Sequence, residues 1–143
     1  MKKILCVIDF RGGEVKTLEV AAEIAVAVNA HLLVLYPYRL IGESQGDIPS
    51  LKRKLEADAR KRFEETRSRT KAIDRLSVEF QPEIGFAVDR ILAHTRGNNI
   101  DMVVIGQEVG AGEWKSLPLT ELIAHSNVPF VVVPSEEKST VPL

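Results

Sequence analysis

Cysteine is almost absent from this chain of 143 residues: the single Cys6 cannot form an internal disulfide and suits a reducing compartment. It lies within an apolar run, so it reads as a small buried hydrophobe rather than a reactive thiol. An excess of either charge is absent too. Nineteen basic residues stand against 20 acidic ones, a net charge of −1, so no bulk field draws in nucleic acid or an anionic membrane. Long apolar runs are missing. Lys2 and Lys3 precede the run Ile4–Ile8, but Asp9 ends it well short of the roughly 7–15 residues of a signal peptide's apolar region. Nothing reaches the roughly 18 apolar residues of a membrane span, and a cytoplasmic domain is expected. His31, His94 and His125 have no metal-like spacing. There is no P-loop, no His-Glu-x-x-His and no Gly-x-Ser-x-Gly elbow.

What is present is alternation. Apolar runs Ile4–Ile8, Leu32–Tyr36, Met102–Ile105 and Val128–Val133 suit strands buried on both faces. Leu76, Val78 and Phe80 alternate with polar residues, which predicts a half-buried strand near a sheet edge. Pro37, Pro82 and Pro134 read as strand ends. Between these runs lie helical patterns: Glu14 to about Asn29; Leu51, Leu55, Ala59 and Phe63; Val88, Ile91, Leu92 and Thr95; and Leu117 to Ser126. Ser50 reads as a cap for the second helix, and Gly97-Asn98-Asn99 as the end of the third. The second helix is densely charged. With no aromatics interleaved to stack bases, it reads as a solvated face with pairs such as Glu56–Arg60. Residues 135–143 read as a polar, frayed tail after one domain spanning 1–134.

Five strands alternating with four helices predict an α/β fold, a doubly wound parallel sheet with right-handed crossovers. In such sheets ligands bind beyond the carboxyl ends of the strands, at the switch in winding direction. The candidate positions are the turn Asp9 to Gly13, the Pro37 corner, and the stretch after Ile105. That stretch, Gly106-Gln-Glu-Val-Gly110-Ala-Gly112-Glu-Trp114-Lys-Ser116, follows a strand and precedes a helix, the local order of an anion or nucleotide site.

With these residues in place, the chain resembles the universal stress protein family. Lys3-Ile-Leu-Cys-Val-Ile-Asp9-Phe10 is similar to the family's first strand and its terminal aspartate, and His31–Tyr36 to its second. Ile84-Gly85, Asp101–Gly106 and His125–Val133 resemble the glycine before the third helix, the hallmark strand, and the closing helix and strand. The resemblance implies an open five-stranded parallel sheet with helices on both faces, order 3-2-1-4-5, of the universal-stress/adenine nucleotide alpha hydrolase-like kind. It implies a homodimer joined through the last strand, Val128 to Val133, and a role in stress survival. Some members bind ATP and others do not. Binders resemble one another in a loop of glycine, two residues, glycine, nine residues, then glycine with serine or threonine. Here Gly110 comes one place late, and Ser116-Leu117 fall where the glycine and serine belong, leaving the loop roughly three residues short.

Each candidate has two readings. Asp9 contacts adenine or ribose, or accepts N–H bonds at the start of the first helix. Gly106, Gly110 and Gly112 cradle phosphate, or only turn the chain. Glu108 and Glu113 set negative charge there, which Lys115 or a metal would have to neutralise. Ser116 touches phosphate or caps the fourth helix; Trp114 covers a ligand or packs on that helix. Arg11-Gly12-Gly13 is a second anion site or a solvated turn. Pro37 lines the base. The expectation is a non-catalytic cytoplasmic stress or regulatory module with a degenerate nucleotide loop and weak or absent ATP binding. No cofactor is certain, ATP is the candidate, and neither nucleic acid nor membrane is a partner. The alternative is an ATP-binding module with slow hydrolysis.

Overall fold

The computed structural model describes residues 1–40, 47–97, 99–113 and 117–134. Its elements are β1 (Lys3–Val7), α1 (Glu14–Val28), β2 (His31–Tyr38), α2 (Ile48–Ser68), a 3-10 turn (Ile73–Arg75), β3 (Val78–Ile84), α3 (Ala87–Gly97), β4 (Met102–Gly106), α4 (Leu119–Ser126) and β5 (Phe130–Val133). The five strands form one parallel sheet in the order β3-β2-β1-β4-β5. This is the expected α/β architecture. The winding direction switches between β1 and β4, so the ends of these two central strands open the crevice predicted for a ligand.

Strand β1 divides the core by its period of two. Ile4, Cys6 and Ile8 pack with Leu18, Ala21 and Ala25 of α1 and Phe63 of α2. Leu5 and Val7 face the other way, onto Ala87, Val88 and Ile91 of α3 and Leu122 of α4. Both faces are covered, which is why the strand reads as an unbroken apolar run. Alanines on α1 let that helix lie close to the sheet. Asn29, in the left-handed region, ends it while Ala30 N–H reaches back to the Ala25 carbonyl at 2.9 Å. Asp101 ties the other end of the central pair: its Oδ2 accepts from Lys2 N at 2.7 Å and Lys3 N at 3.0 Å.

Several local expectations are corrected. Pro37 does not stop the second strand; β2 runs through it to Tyr38. The reason lies in the direction of its backbone. Leu35 accepts from Ile8 N–H on the β1 side, and Tyr38 accepts from Gly85 N–H on the β3 side, so alternation turns Pro37 toward β1. The β1 ladder has ended there, and the missing N–H breaks no bond within β2–β3. Pro82 likewise sits inside β3, facing the open edge of the sheet, where prolines are tolerated. Leu76 follows the 3-10 turn rather than belonging to the strand. Asp47, not Ser50, stands at the start of α2, and Ser50 Oγ donates to its carboxylate at 2.9 Å. Glu56 accepts from the Tyr38 hydroxyl at 2.6 Å, while Arg60 lies 6.0 Å from the Phe80 ring; the surface pair expected between them is replaced by ties to the sheet. Helix α4 starts at Leu119 with Pro118 in the cap position, and no described side chain caps it. Trp114, Lys115, Ser116 and the tail 135–143 lie outside the described residues.

Candidate functional site

Asp9 stands just beyond β1, where the sheet ends and the chain turns toward α1. The turn is made by Phe10, whose φ of 58° is in the left-handed region that a bulky residue rarely adopts. Its ring packs edge-on against Tyr36 at 4.9 Å, which holds the turn in place. Asp9 Oδ1 accepts from Arg11 N–H at 3.2 Å, and Arg11 Nε lies 3.8 Å from Oδ2. That is the turn's own amide, not an amide of α1; Gly12 N–H, nearer the helix, goes to Glu14 Oε2 at 2.9 Å. Asp9 therefore does not cap α1. Its Oδ2 is buried and accepts no hydrogen bond. Burial raises the pKa of this carboxyl above its ordinary value, with Glu14 and Glu108 pushing the same way, and the Arg11 amide and guanidinium opposing them.

Across the crevice, β4 ends at Gly106. A side chain there would meet Thr17 Oγ1 of α1 at 3.2 Å, so the glycine lets the strand end and helix start approach. The following residues fold as successive tight turns. Val109 N–H donates to Gly106 O at 3.1 Å, Ala111 N–H to Glu108 O at 3.0 Å, and Glu113 N–H to Gly110 O at 3.1 Å. Three of the loop's amides are thus spent on its own carbonyls. Gly110 and Gly112, with φ of 81° and 85°, serve this winding.

Two side chains fix the loop, and their roles were not anticipated. Arg11 Nη1 donates to Ala111 O at 2.9 Å, pinning the loop over the first strand's end. Glu113 accepts from Ala87 N–H, the first amide of α3, at 3.0 Å through Oε2. A carboxylate at a helix start satisfies an otherwise open donor and meets the positive end of the dipole. Glu113 thus has a partner for its carboxylate among the described residues. The sequence carried a faint signal: Phe86 occupies the place before α3 where a Ser, Thr, Asp or Asn would ordinarily cap, so the helix needed an acceptor from elsewhere.

Asp9 and the loop enclose a cleft of about 430 Å³, bounded by Tyr36, Pro37 and Arg39 from β2 and its end, and by Val109 to Glu113. Asp9, Pro37, Gly110 and Gly112 therefore line one chamber. Gly106 lines two neighbouring ones, toward α1 and toward α4. Arg39 stacks on Phe86, its guanidinium 3.7 Å from the ring centre. Among the described residues no group of three or more His, Cys, Asp or Glu side chains could hold a metal, and no helix is long and apolar enough to cross a membrane.

A five-stranded parallel sheet in this order, with an aspartate and a glycine loop facing each other across its switch point, defines the class. The chain matches the Universal stress protein family over residues 1–134 and belongs to it. Among solved structures it is similar to a universal stress protein from Burkholderia pseudomallei, with a TM-score of 0.70 and 17% identity over 94% of this chain and 96% of that one. It is also similar to UspA from Lactobacillus plantarum, with a TM-score of 0.68 and 18% identity over 92% and 97% of the two chains. A universal stress protein in complex with cAMP aligns with a TM-score of 0.63 and 19% identity over 92% and 96%. At these identities the likeness speaks for the fold alone. No curated protein sequence matches the chain.

Proposed function

We propose that this protein is a non-catalytic stress-response or regulatory module whose crevice takes the adenosine part of an adenine nucleotide and holds a triphosphate weakly or not at all. The observation that carries this reading is Asp9 Oδ2, a buried acceptor left without a donor at the mouth of the central strands. Asp9 also lines the cleft, so a base amine or a ribose hydroxyl there can supply the missing donor once the carboxylate turns Oδ2, now closed to solvent, toward it. The cAMP complex of a relative with the same fold supports an adenine ligand. The three loop amides already bonded to the loop's own carbonyls support weak phosphate binding, because an anion would have to break those bonds to use them.

Titration calorimetry with adenosine, AMP and ATP tests the proposal. Adenosine should bind, Asp9→Ala should abolish it, and ATP should not gain affinity over AMP. Native mass spectrometry of freshly purified protein should find no ATP retained. A second reading, an ATP-binding module with slow hydrolysis, draws support from Arg11 and Arg39 on the cleft wall. Tightly retained ATP and phosphate release that Asp9→Ala stops would establish it instead. The edge of β5 away from β4 pairs with nothing among the described residues, and Phe130, Val131 and Val132 are only half-buried. An open apolar edge of this kind invites a second copy, and we assign the homodimer contact to it. Val131→Lys should give a monomer by light scattering where the parent chain gives a dimer. Residence in the cytoplasm completes the proposal, and fractionation of cells tests it.

A further inference from the structure

The edge of the sheet at β3 carries its own chemistry. Leu32 N–H donates to Ser77 O and Gly85 N–H to Tyr38 O, so by alternation residues 77, 79, 81, 83 and 85 bond to β2. Val78, Phe80 and Ile84 therefore turn their own N–H and C=O outward, and Pro82 turns only its C=O. No strand among the described residues pairs with this edge. The side chains of Val78 and Phe80 lie on the α2 face, where Phe80 stacks on Phe63 with ring centres 4.5 Å apart. Helix α2 sets a line of cations beside them. It holds seven basic residues against four acidic ones, in a chain whose net charge is −1. Arg62 and Arg69 line a cleft with Glu14 of α1, while Arg60 lies on the opposite flank, 6.0 Å from the Phe80 ring. Arg53 and Arg67 stand seven residues before and after Arg60. Seven residues are almost two whole turns, so the three share the β3 flank over about 21 Å. Among the described residues no ion pair joins any of them to a carboxylate; Arg53 donates to the Ser50 hydroxyl at 3.3 Å. Glu56 is taken by the Tyr38 hydroxyl, and Glu64 stands exposed at the outer side of the line.

We propose that the β3 edge is a docking surface for an extended, acidic segment of another protein, which adds to the sheet as a further strand and lays its carboxylates along Arg53, Arg60 and Arg67. Open main-chain groups give such a strand its affinity, and the guanidinium line selects its charge. About six or seven extended residues span the arginine line, and β3 itself has seven. Charge argues against a second copy as the occupant. Paired about a two-fold axis, each β3 would set its own arginine line against its partner's. A nucleic acid lacks the peptide groups that complete a ladder, and the chain outside α2 is net negative and repels a long polyanion.

Fluorescence anisotropy on the full chain tests this with labelled peptides of the length of β3. One alternates glutamate with valine, one alternates lysine with valine, and a third is the glutamate peptide N-methylated throughout; a short oligouridylate is the fourth probe. The glutamate peptide should bind, and the lysine and N-methylated peptides should bind about tenfold more weakly or worse. Arg60→Glu combined with Arg67→Glu should weaken the glutamate peptide by about tenfold or more. If that variant melts early, Arg53→Glu alone is read in its place. Hydrogen exchange at the Val78 and Phe80 amides should slow when the glutamate peptide is added. Equal binding of the N-methylated peptide, or tighter binding of the oligouridylate, overturns the proposal, because the arginines then act as a bare cationic face. Slowing of those two amides with protein concentration alone overturns it in favour of a second copy. Failure of the glutamate peptide to bind overturns it outright.

Discussion

Replacing Asp9 by asparagine sets ligand binding against stability. The native carboxylate keeps a buried oxygen without a donor, and leaving such a group unsatisfied costs about 1–3 kcal/mol. The side chain retains 18% of its surface, so the lower end applies. Against this, asparagine forfeits the contact with Arg11, whose side chain is 59% exposed and whose ion pair is worth about 0–1 kcal/mol. The amide oxygen can still accept from Arg11 N–H. Its amide nitrogen, in the place of Oδ2, is neutral and so cheaper to leave unpaired than a carboxylate oxygen, and the net expectation is a gain of about 0–1 kcal/mol, or up to roughly 4 °C in Tm for a domain of this size. The sign with pH follows from the raised pKa. As pH rises past about 3.9, the unfolded chain releases this proton before the folded one does, so the native protein loses stability through that window. The advantage of Asp9→Asn should therefore be absent well below pH 4 and complete once pH exceeds the raised native value. Thermal melts of both proteins across pH 3–8, a window set by ordinary carboxylate behaviour, measure it, with adenosine titration alongside. A variant less stable than the parent at neutral pH would refute the reasoning, because Asp9 would then be a structural tie of the turn rather than an acceptor held open for a ligand.

Other perturbations probe the frame around this site. Leu5→Ala, at a fully buried position between β1 and α3, should cost about 2–5 kcal/mol in urea unfolding with little change in slope. Burial pushes the Cys6 thiol up to about 12, so a disulfide-exchange reagent should leave it unmodified in the native protein and label it fully in denaturant. The amides of Lys2 and Lys3 hold the Asp101 carboxyl below its ordinary value, so its contribution is present above about pH 3.9 and fades as pH falls through the lowered value. The gap in Tm between Asp101→Asn and the parent should close over that acidic range. Glu113→Gln should lower stability by about 0.3–1 kcal/mol through the lost charge at the start of α3, read by chemical denaturation, and should narrow the difference between adenosine and ATP binding.

The sequence by itself determined the alternation of elements and the two-sided burial of the central strands. Local pattern is enough for this, because a strand covered by helices on both faces must be apolar at consecutive positions, as Ile4 to Ile8 are. It also pointed to the ends of β1 and β4 as the crevice, since that location follows from winding. The tertiary structure decided what happens inside. Pro37 stands within β2 because its neighbour on one side has already ended, a fact of register that no local signal carries. Glu113 looked like charge in need of neutralising until α3 brought an uncapped amide to it from 26 residues away. The loop glycines read either as a cradle or as a turn, and only the fold shows their neighbours' amides on the loop's own carbonyls. The open oxygen of Asp9 is likewise a property of everything packed around it: an aspartate at a strand end is common, and only the surrounding side chains settle whether it has a partner.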